Sequence, residues 1–426
     1  MMQPKHQPAD SKKTRFADHG WRSLLLVHAV AATVGAFLRR CRYPLTLAVA
    51  FFICFFLMYT YSQRQTSWII YWFDDWVFYA DASGSYDHMK EISFDGNMWR
   101  HPLYPLIVSP LVSGIKAVFG FGNRQAAKVV VALLASLNGA LFFTLLHCCF
   151  RGKITAIVFA CLYGVLFSNL VFFSIPETYS LANLGILVFF LLIIRYRFDI
   201  TKKRAVILGI ASGVGALANP PLGLLLFSVY ALCLRRLTWI HSLHRCLWAT
   251  LTALLVYLGA NFLLFGLDYF EKSQKLANKW ATMANFFEPA NWLNVAVSFF
   301  VYAVISPLDE LERSIGLKDF SGYFQSPLRT LVFAIFMVFL VFAIFRLARR
   351  GVGDIVLTAA AWLAVLSIFH LYFNPREALL YSCQAMGPFM LILGRVFADI
   401  SWKWKGLAAG IFTIGLGYVN FKCFMG

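Results

Sequence analysis

The sequence predicts an all-α, polytopic membrane protein with about 11 transmembrane helices and additional helices on the outer membrane surface. Of its 426 residues, 60% are hydrophobic and only 14% are charged, whereas ordinary soluble domains carry about 25% charge. Apolar runs recur at the length of about 17–25 residues that crosses a bilayer core as helix. The net charge of +18 lies mainly in short loops between these runs, where basic residues set topology.

The N-terminal 43 residues are predicted to be a cytoplasmic tail with an interfacial helix. The apolar run from Leu24 to Leu38 is too short to cross a bilayer at about 1.5 Å per residue. Arg39 and Arg40 follow where a signal peptide would carry small residues at its cleavage site. Residues 44–426 are predicted to form a single transmembrane domain.

Eleven apolar runs predict the crossings. They are Leu45–Tyr61, Ala126–Cys149, Ile154–Ser174, Tyr179–Arg195, Ala205–Ala218, Pro221–Arg235, Cys246–Gly266, Leu328–Arg346, Asp354–Phe373, Ala378–Phe397 and Lys405–Phe424. Two shorter runs, Pro102–Phe119 and Trp292–Ser306, remain.

Loop charge assigns those two short runs to the outer surface. Five basic loops, at 151–153, 195–204, 235–245, 346–350 and 395–405, become cytoplasmic together only under that assignment. The inside then holds 24 Lys and Arg against 5 Asp and Glu, and the outside holds 14 against 15. The N-terminus is therefore expected in the cytoplasm, with outer loops at 62–125 and 267–327.

A break is expected at Asn219-Pro220-Pro221. The runs on either side of it are short for full spans, and basic residues flank both of their far ends. Two short crossings and a broken hairpin both fit this pattern. Non-helical backbone at membrane depth requires burial in protein or a wet cavity.

Polar residues distant in sequence gather on the outer face under this topology, which predicts a shared outward-facing cavity. They are Asp81, Arg100, His101, Glu177, Asn219, Asn374, Arg376 and Glu377.

Each of these residues also has a structural explanation. Asp81 is one of six carboxylates in its loop, and Glu177 follows Pro176 at a helix start, where a carboxylate favours the helix dipole. His101-Pro102 can simply open the next helix, and Arg376 can pair with Glu377.

Several function classes lack their motifs. The sequence contains no P-loop, no HExxH and no GxSxG, and no GxGxxG follows a strand. The nine cysteines have no metal-ligand spacing, and no basic patch indicates nucleic acid. A membrane enzyme acting on the outer face therefore requires a lipid-carried donor.

Three features resemble the GT-C superfamily of glycosyltransferases, and within it the bacterial branch related to protein mannosyltransferases. Asp81 lies in the first outer loop, in FYADASGSYDHM, and a His-Pro-Leu helix follows in RHPLYPLIVSP. Pro176-Glu177 then begins a helix at an outer turn. The resemblance covers the chain from about Leu45 to Leu391.

The resemblance implies a polyprenyl-phosphate sugar as donor, a glycan, lipid or protein acceptor, and an outward-facing site in a bacterial inner membrane. Asp81 would be the general base. Arg100, His101 and Arg376 would contact phosphate or sugar, and Glu177 would orient the acceptor or a neighbouring base. The donor's lipid tail would lie in a groove with the helix Pro102–Phe119 as one wall.

The sequence departs from many relatives because Asp81 is flanked by Ala80 and Ala82 and not by a second acid. Asp75, in the pair Asp74-Asp75, stays an alternative base. No cofactor is expected, since an isolated carboxylate is a poor divalent site, although a divalent metal stays open.

Two other functional classes compete with the glycosyltransferase. The break at Asn219 fits a transporter or a lipid or glycan flippase, since discontinuous helices mark transport sites. A polymerase or ligase of surface glycans would share the lipid carrier, but the outer loops lack a pair of arginines typical of that class.

Overall fold

The computed structural model describes residues 43–57, 60, 82–96, 98–150, 152–280, 283–306, 323–324, 326–398 and 405–425. The chain divides into two units, Met1–Thr46 and Leu47–Gly426. Of the first unit only residues 43–46 are described, so the expected interfacial helix at Leu24–Leu38 lies outside the described residues.

Every regular element in the described residues is helical, as the sequence predicted. The α-helices are α1 Tyr43–Leu57, α2 Ala82–Lys90, α3 Leu103–Phe119, α4 Asn123–Cys149, α5 Lys153–Val165, α6 Phe167–Phe172, α7 Tyr179–Arg195, α8 Lys202–Ala218, α9 Leu226–Arg236, α10 Trp239–Phe265, α11 Asp268–Trp280, α12 Pro289–Val297, α13 Pro327–Arg350, α14 Asp354–Phe373, α15 Cys383–Ala398 and α16 Lys405–Met425. Short 3-10 turns at Met98–Arg100, Pro220–Leu225, Met283–Phe287 and Pro375–Tyr381, and a π-helical turn at Ser298–Tyr302, connect some of them.

Four of these helices are long and apolar enough to cross a membrane by length and composition. They are α4, α10, α13 and α14. Several shorter apolar helices accompany them, including α3, α5, α7 and α15. The described fold is therefore consistent with a membrane protein.

Local chemistry explains where several helices begin and end. Ser326 caps α13, since its Oγ accepts the Arg329 N–H at 3.2 Å and Pro327 opens the first turn. Gly120 ends α3 in the left-handed conformation at φ 66° and bonds back to the Lys116 carbonyl.

The predicted crossing Ile154–Ser174 is wrong as a single helix, because the chain is extended at Leu166 between α5 and α6. Partners far along the chain satisfy the freed backbone groups. Phe167 and Ser168 donate N–H groups to the Val304 and Ala303 carbonyls. The buried Asn420 amide donates to Val165 O and Val304 O, both at 2.8 Å, and its Oδ1 accepts from Ser306 N at 2.9 Å.

Side chains also satisfy backbone carbonyls at the break after α8 and at the turn between α14 and α15. The expected break after α8 is confirmed, and Ser212 Oγ donates there to the Leu222 and Gly223 carbonyls at 3.1 Å. The predicted helix Ala378–Phe397 is wrong at its start, because Pro375–Tyr381 is a 3-10 turn and α15 begins at Cys383. Pro375 O accepts from Asn294 Nδ2 at 2.8 Å.

Helices α8 and α10 approach closely through small residues. A Cβ added at Gly213 would lie 2.7 Å from the Ala253 carbonyl oxygen, and Gly209 faces Ala249 in the same way. Close approach of this kind lets membrane helices pack backbone against backbone. It holds α8, and with it Asn219 at its C-terminal end, in a fixed position.

Candidate functional site

The two ends of the helices α9 and α14 carry different side chains: one end has paired charges and the other has asparagines. At one end Asp354, which begins α14, pairs with Arg235 at 3.3 Å and also with Arg236, both at the end of α9. The opposite ends of the same helices carry Asn219, before α9, and Asn374, after α14. Glu177 lies at the start of α7, away from the basic residue Arg195 that ends it.

His101 makes a direct contact between two regions predicted to contribute to the site. Its Nδ1 lies 2.9 Å from the carbonyl oxygen of Ala218, the residue before Asn219. A carbonyl can only accept, so Nδ1 carries the proton in this hydrogen bond. Burial, reinforced by the charge of Arg100, lowers the pKa of His101 to about 4 despite the bond to Ala218.

The tautomer has a chemical consequence at neutral pH. With Nδ1–H donating to Ala218, Nε2 of the neutral ring is the acceptor. A neutral imidazole with an acceptor nitrogen suits a hydroxyl better than a phosphate. The sequence predicted that His101 contacts either phosphate or sugar, and this geometry favours a sugar hydroxyl.

Arg100 precedes His101 and is half-buried. Its guanidinium lies 5.6 Å from the centre of the Trp99 ring, a cation–π distance. Trp99 packs edge-on against Tyr269 of α11 at 5.7 Å. The start of the second predicted outer loop therefore supports the segment that holds Arg100 and His101.

Glu177 is only 5% exposed. Its Oε2 accepts from Thr178 N at 2.7 Å and from Thr178 Oγ1 at 3.3 Å. These bonds at the start of α7 fit the helix-start explanation, although a carboxylate that only caps a helix does not need to be this buried. Cys383 lies within electrostatic range of it, which places Glu177 near the start of α15.

A chain of rings joins the Glu177 turn to the segment after α14. Tyr179 contacts Tyr381 with ring centres 5.4 Å apart, and Tyr381 contacts His370 at 4.4 Å. Tyr381 ends the 3-10 turn that contains Arg376 and Glu377. The backbone of the predicted Arg376-Glu377 pair is thus brought close to the Glu177 turn.

The remaining predicted site residues are only partly described by the structure. Asp81 and the alternative Asp75 lie outside the described residues, as do the side chains of Arg376 and Glu377. Asn374 is half-buried and ends α14, with its N–H bonded to the His370 carbonyl at 3.1 Å.

Three buried polar side chains have both polar atoms without a hydrogen-bond partner among the described residues. They are Asn219, His370 and Gln384. Asn219 is 1% exposed and the other two are fully buried. Buried polar atoms are almost always paired in native proteins, so these three are candidates for contact with a ligand or with ordered water.

His370 and Gln384 were not among the residues singled out from the sequence. The sequence feature that could have identified them is a polar residue inside an apolar run, as in SIFHLYF and SCQAMG. Gln384 is fixed through its backbone, since its carbonyl accepts from Trp362 Nε1 at 3.1 Å. His370 lies between Tyr381 and Phe299.

An apolar cavity of about 190 Å³ lies between α5, α13, α15 and α16. Its walls include Phe159, Val304, Phe336 and Met390. None of its lining residues belongs to α3, which was expected to form one wall of the lipid groove.

No three His, Cys, Asp or Glu side chains in the described part of the chain are grouped to hold a metal ion. A comparison with protein-family models and with curated proteins gives no match.

Proposed function

We propose that this protein is a membrane glycosyltransferase that transfers a sugar from a polyprenyl-phosphate donor to an acceptor hydroxyl on the extracytoplasmic face. The observation that carries the proposal is the gathering of buried and half-buried polar groups from separate turns at one end of an apolar helical bundle. Its described members are the half-buried His101, bonded to the Ala218 carbonyl next to Asn219, and the buried Glu177, whose near neighbour Tyr179 contacts Tyr381. The proposal includes about 11 crossings, with this end facing outward.

The composition of the site supports a sugar substrate. Pockets for small molecules combine aromatic walls with a few placed hydrogen-bonding groups. Tyr179, Tyr381 and His370 supply rings, and Asn219 and Gln384 supply unpaired amides. Uncharged donors and acceptors of this kind match sugar hydroxyls.

The proposed reaction is a single displacement. The acceptor oxygen forms a bond to the anomeric carbon as the bond from that carbon to the phosphate oxygen breaks, which inverts the configuration. Asp81, or alternatively Asp75, takes the acceptor proton, a role worth roughly 10²–10⁴-fold in rate. Arg376 and Arg100 contact the departing polyprenyl phosphate, since guanidinium groups match phosphate oxygens.

The test is sugar transfer by protein reconstituted in vesicles with a panel of polyprenyl-phosphate sugars. Asp81→Asn is expected to abolish transfer while the protein still folds and inserts, and Asp75→Asn is its matched comparison. Loss only in Asp75→Asn would move the base to that residue. Normal turnover in both variants would refute the mechanism.

The helix interruptions at Leu166 and Asn219 also favour a second candidate, a transporter or lipid flippase. The same vesicles separate the two functions. Movement of an intact polyprenyl-phosphate sugar across the bilayer, without transfer to any acceptor, would support the transporter. Covalent transfer would support the enzyme.

A further inference from the structure

A second pocket lies at the opposite end of the bundle from Glu177. It has a volume of about 630 Å³ and lies between the ends of α4, α7 and α15 and the start of α14. Its walls are formed by Cys148, Cys149, Phe150, Ile194, Phe198, Gly353, Asp354, Ile355, Arg395 and Ala398. None of these residues belongs to the candidate site described above.

Part of the wall is apolar and is held by an unusual turn. After α7, Arg197 and Phe198 both adopt left-handed backbone conformations, at φ 53° and φ 60°. This conformation costs about 1 kcal/mol or more for a residue other than glycine. The Phe198 N–H bonds back to the Ile193 carbonyl at 3.2 Å, and the turn places the Phe198 ring at the pocket.

The pocket is surrounded by positive charge. Arg395 lines it directly, and the Arg236 guanidinium lies 6.0 Å from the centre of the Phe198 ring. Arg195 is within electrostatic range of Cys148. Among the described lining residues Asp354 is the one carboxylate, and it pairs with both Arg235 and Arg236. The described side chains at the pocket thus include four arginines and one acid, a predominantly basic set.

We propose that this pocket binds the phosphate head group of an anionic phospholipid. Arginine matches phosphate oxygens with paired, charge-assisted hydrogen bonds. Basic pockets between transmembrane helices on the cytoplasmic side take such head groups. The apolar residues Phe150, Ile194 and Ile355 accept the first methylene groups of the acyl chains. The bound lipid bridges α4, α7, α14 and α15 and stabilises their arrangement.

This inference shares the proposed orientation of the bundle but does not depend on sugar transfer, so a protein without transferase activity could still bind the lipid. Its test is lipid binding by the full chain purified in uncharged detergent, with phosphatidylglycerol and phosphatidylcholine as probes. Native mass spectrometry counts the bound lipid and a thermal melt reports stabilisation. We expect phosphatidylglycerol to bind at least about tenfold more tightly than phosphatidylcholine and to raise the melting temperature, because a ligand of the native state stabilises it.

Matched variants separate the pocket from general attraction to a basic surface. Arg395→Gln is expected to weaken phosphatidylglycerol binding about tenfold, the effect of losing one charge-assisted hydrogen bond, and Arg395→Lys to retain most of it. Arg349→Gln is the control, because Arg349 is exposed on α13 and is not part of the pocket wall. Equal losses in Arg349→Gln and Arg395→Gln would overturn the proposal, as would equal binding of the two lipids.

Two further measurements complete the test. Millimolar inorganic phosphate shares the head-group chemistry, so stabilisation by phosphate equal to that by the lipid would identify a free anion as the ligand and overturn the lipid assignment. Maleimide labelling of Cys148 and Cys149, measured against Cys148→Ser/Cys149→Ser, gives an independent readout. Phosphatidylglycerol is expected to slow labelling in the wild type, and unchanged labelling would contradict binding at this pocket.

Discussion

The hydrogen bond from His101 to Ala218 makes a quantitative prediction about acid stability. Burial and Arg100 lower the pKa of His101 from the ordinary 6.5 to about 4 in the folded protein. Each tenfold change in proton affinity is worth about 1.4 kcal/mol, and His101 is half-buried, so solvent screens part of this effect. We therefore expect protonation of His101 to cost about 2–3 kcal/mol of folding free energy.

The direction of this effect follows from the two pKa values. The unfolded chain takes up a proton at His101 near pH 6.5, whereas the folded chain does so only near pH 4. The contribution to stability is thus complete above pH 6.5 and is lost as the pH falls from 6.5 to 4. The change His101→Gln removes the titration, while the Gln amide still donates to the Ala218 carbonyl.

The assay is thermal unfolding in detergent across pH 4–8 for the wild type, His101→Gln and the control His241→Gln. His241 is exposed at the basic end of α10 and bonds to Thr238. We expect the wild type and the control to lose stability in parallel below pH 6.5, and His101→Gln to lose about 2–3 kcal/mol less. Identical acid sensitivity in all three proteins would refute the assigned environment of His101.

Three further changes test the packing and the buried polar groups. Asn420→Leu removes the three hydrogen bonds that the Asn420 amide makes to backbone groups, and we expect it to lower the free energy of unfolding by about 2–5 kcal/mol. Thr413→Val, whose hydroxyl bonds to a carbonyl of its own helix, is the control and is expected to change almost nothing; similar melting temperatures for the two variants would contradict this. Gly213→Ala is expected to lower the free energy of unfolding by about 1–3 kcal/mol, because the added methyl group pushes α8 away from α10. Gly259→Ala is the control and should be neutral or slightly stabilising, because a Cβ at Gly259 would meet no neighbouring atom within 4 Å. Gln384→Leu removes two unpaired buried polar atoms, so we expect the free energy of unfolding to rise by about 1–3 kcal/mol. We expect the same change to weaken binding of the polyprenyl-phosphate sugar. Retained binding would exclude Gln384 from the site, and the exposed Gln125→Leu is its control.

Much of the helical arrangement follows from the sequence pattern. The bounds of α7 and α14 agree with the predicted runs Tyr179–Arg195 and Asp354–Phe373. These helices begin and end where apolar runs meet charged residues or proline, which are local signals. The break after Ala218 is equally local, because Asn219-Pro220-Pro221 marks it.

The break at Leu166 has no such signal. The run LYGVLFSNLV contains no proline, and the extended backbone is satisfied by Asn420, which lies 255 residues after Val165. The His101–Ala218 contact spans 117 residues, and helix packing alone creates it. Sequence reasoning identified the turns that carry polar residues, whereas which side chains meet depends on these long-range contacts.

The position of Asn420 bears on how the chain is made. The groups it satisfies, at Val165, Val304 and Ser306, are synthesised up to 255 residues before it. During synthesis these three backbone groups therefore gain their bonds to Asn420 only after α16 has been made. A chain that ends before α16 would lack all three hydrogen bonds, and in a cell it would be a substrate for quality-control proteases.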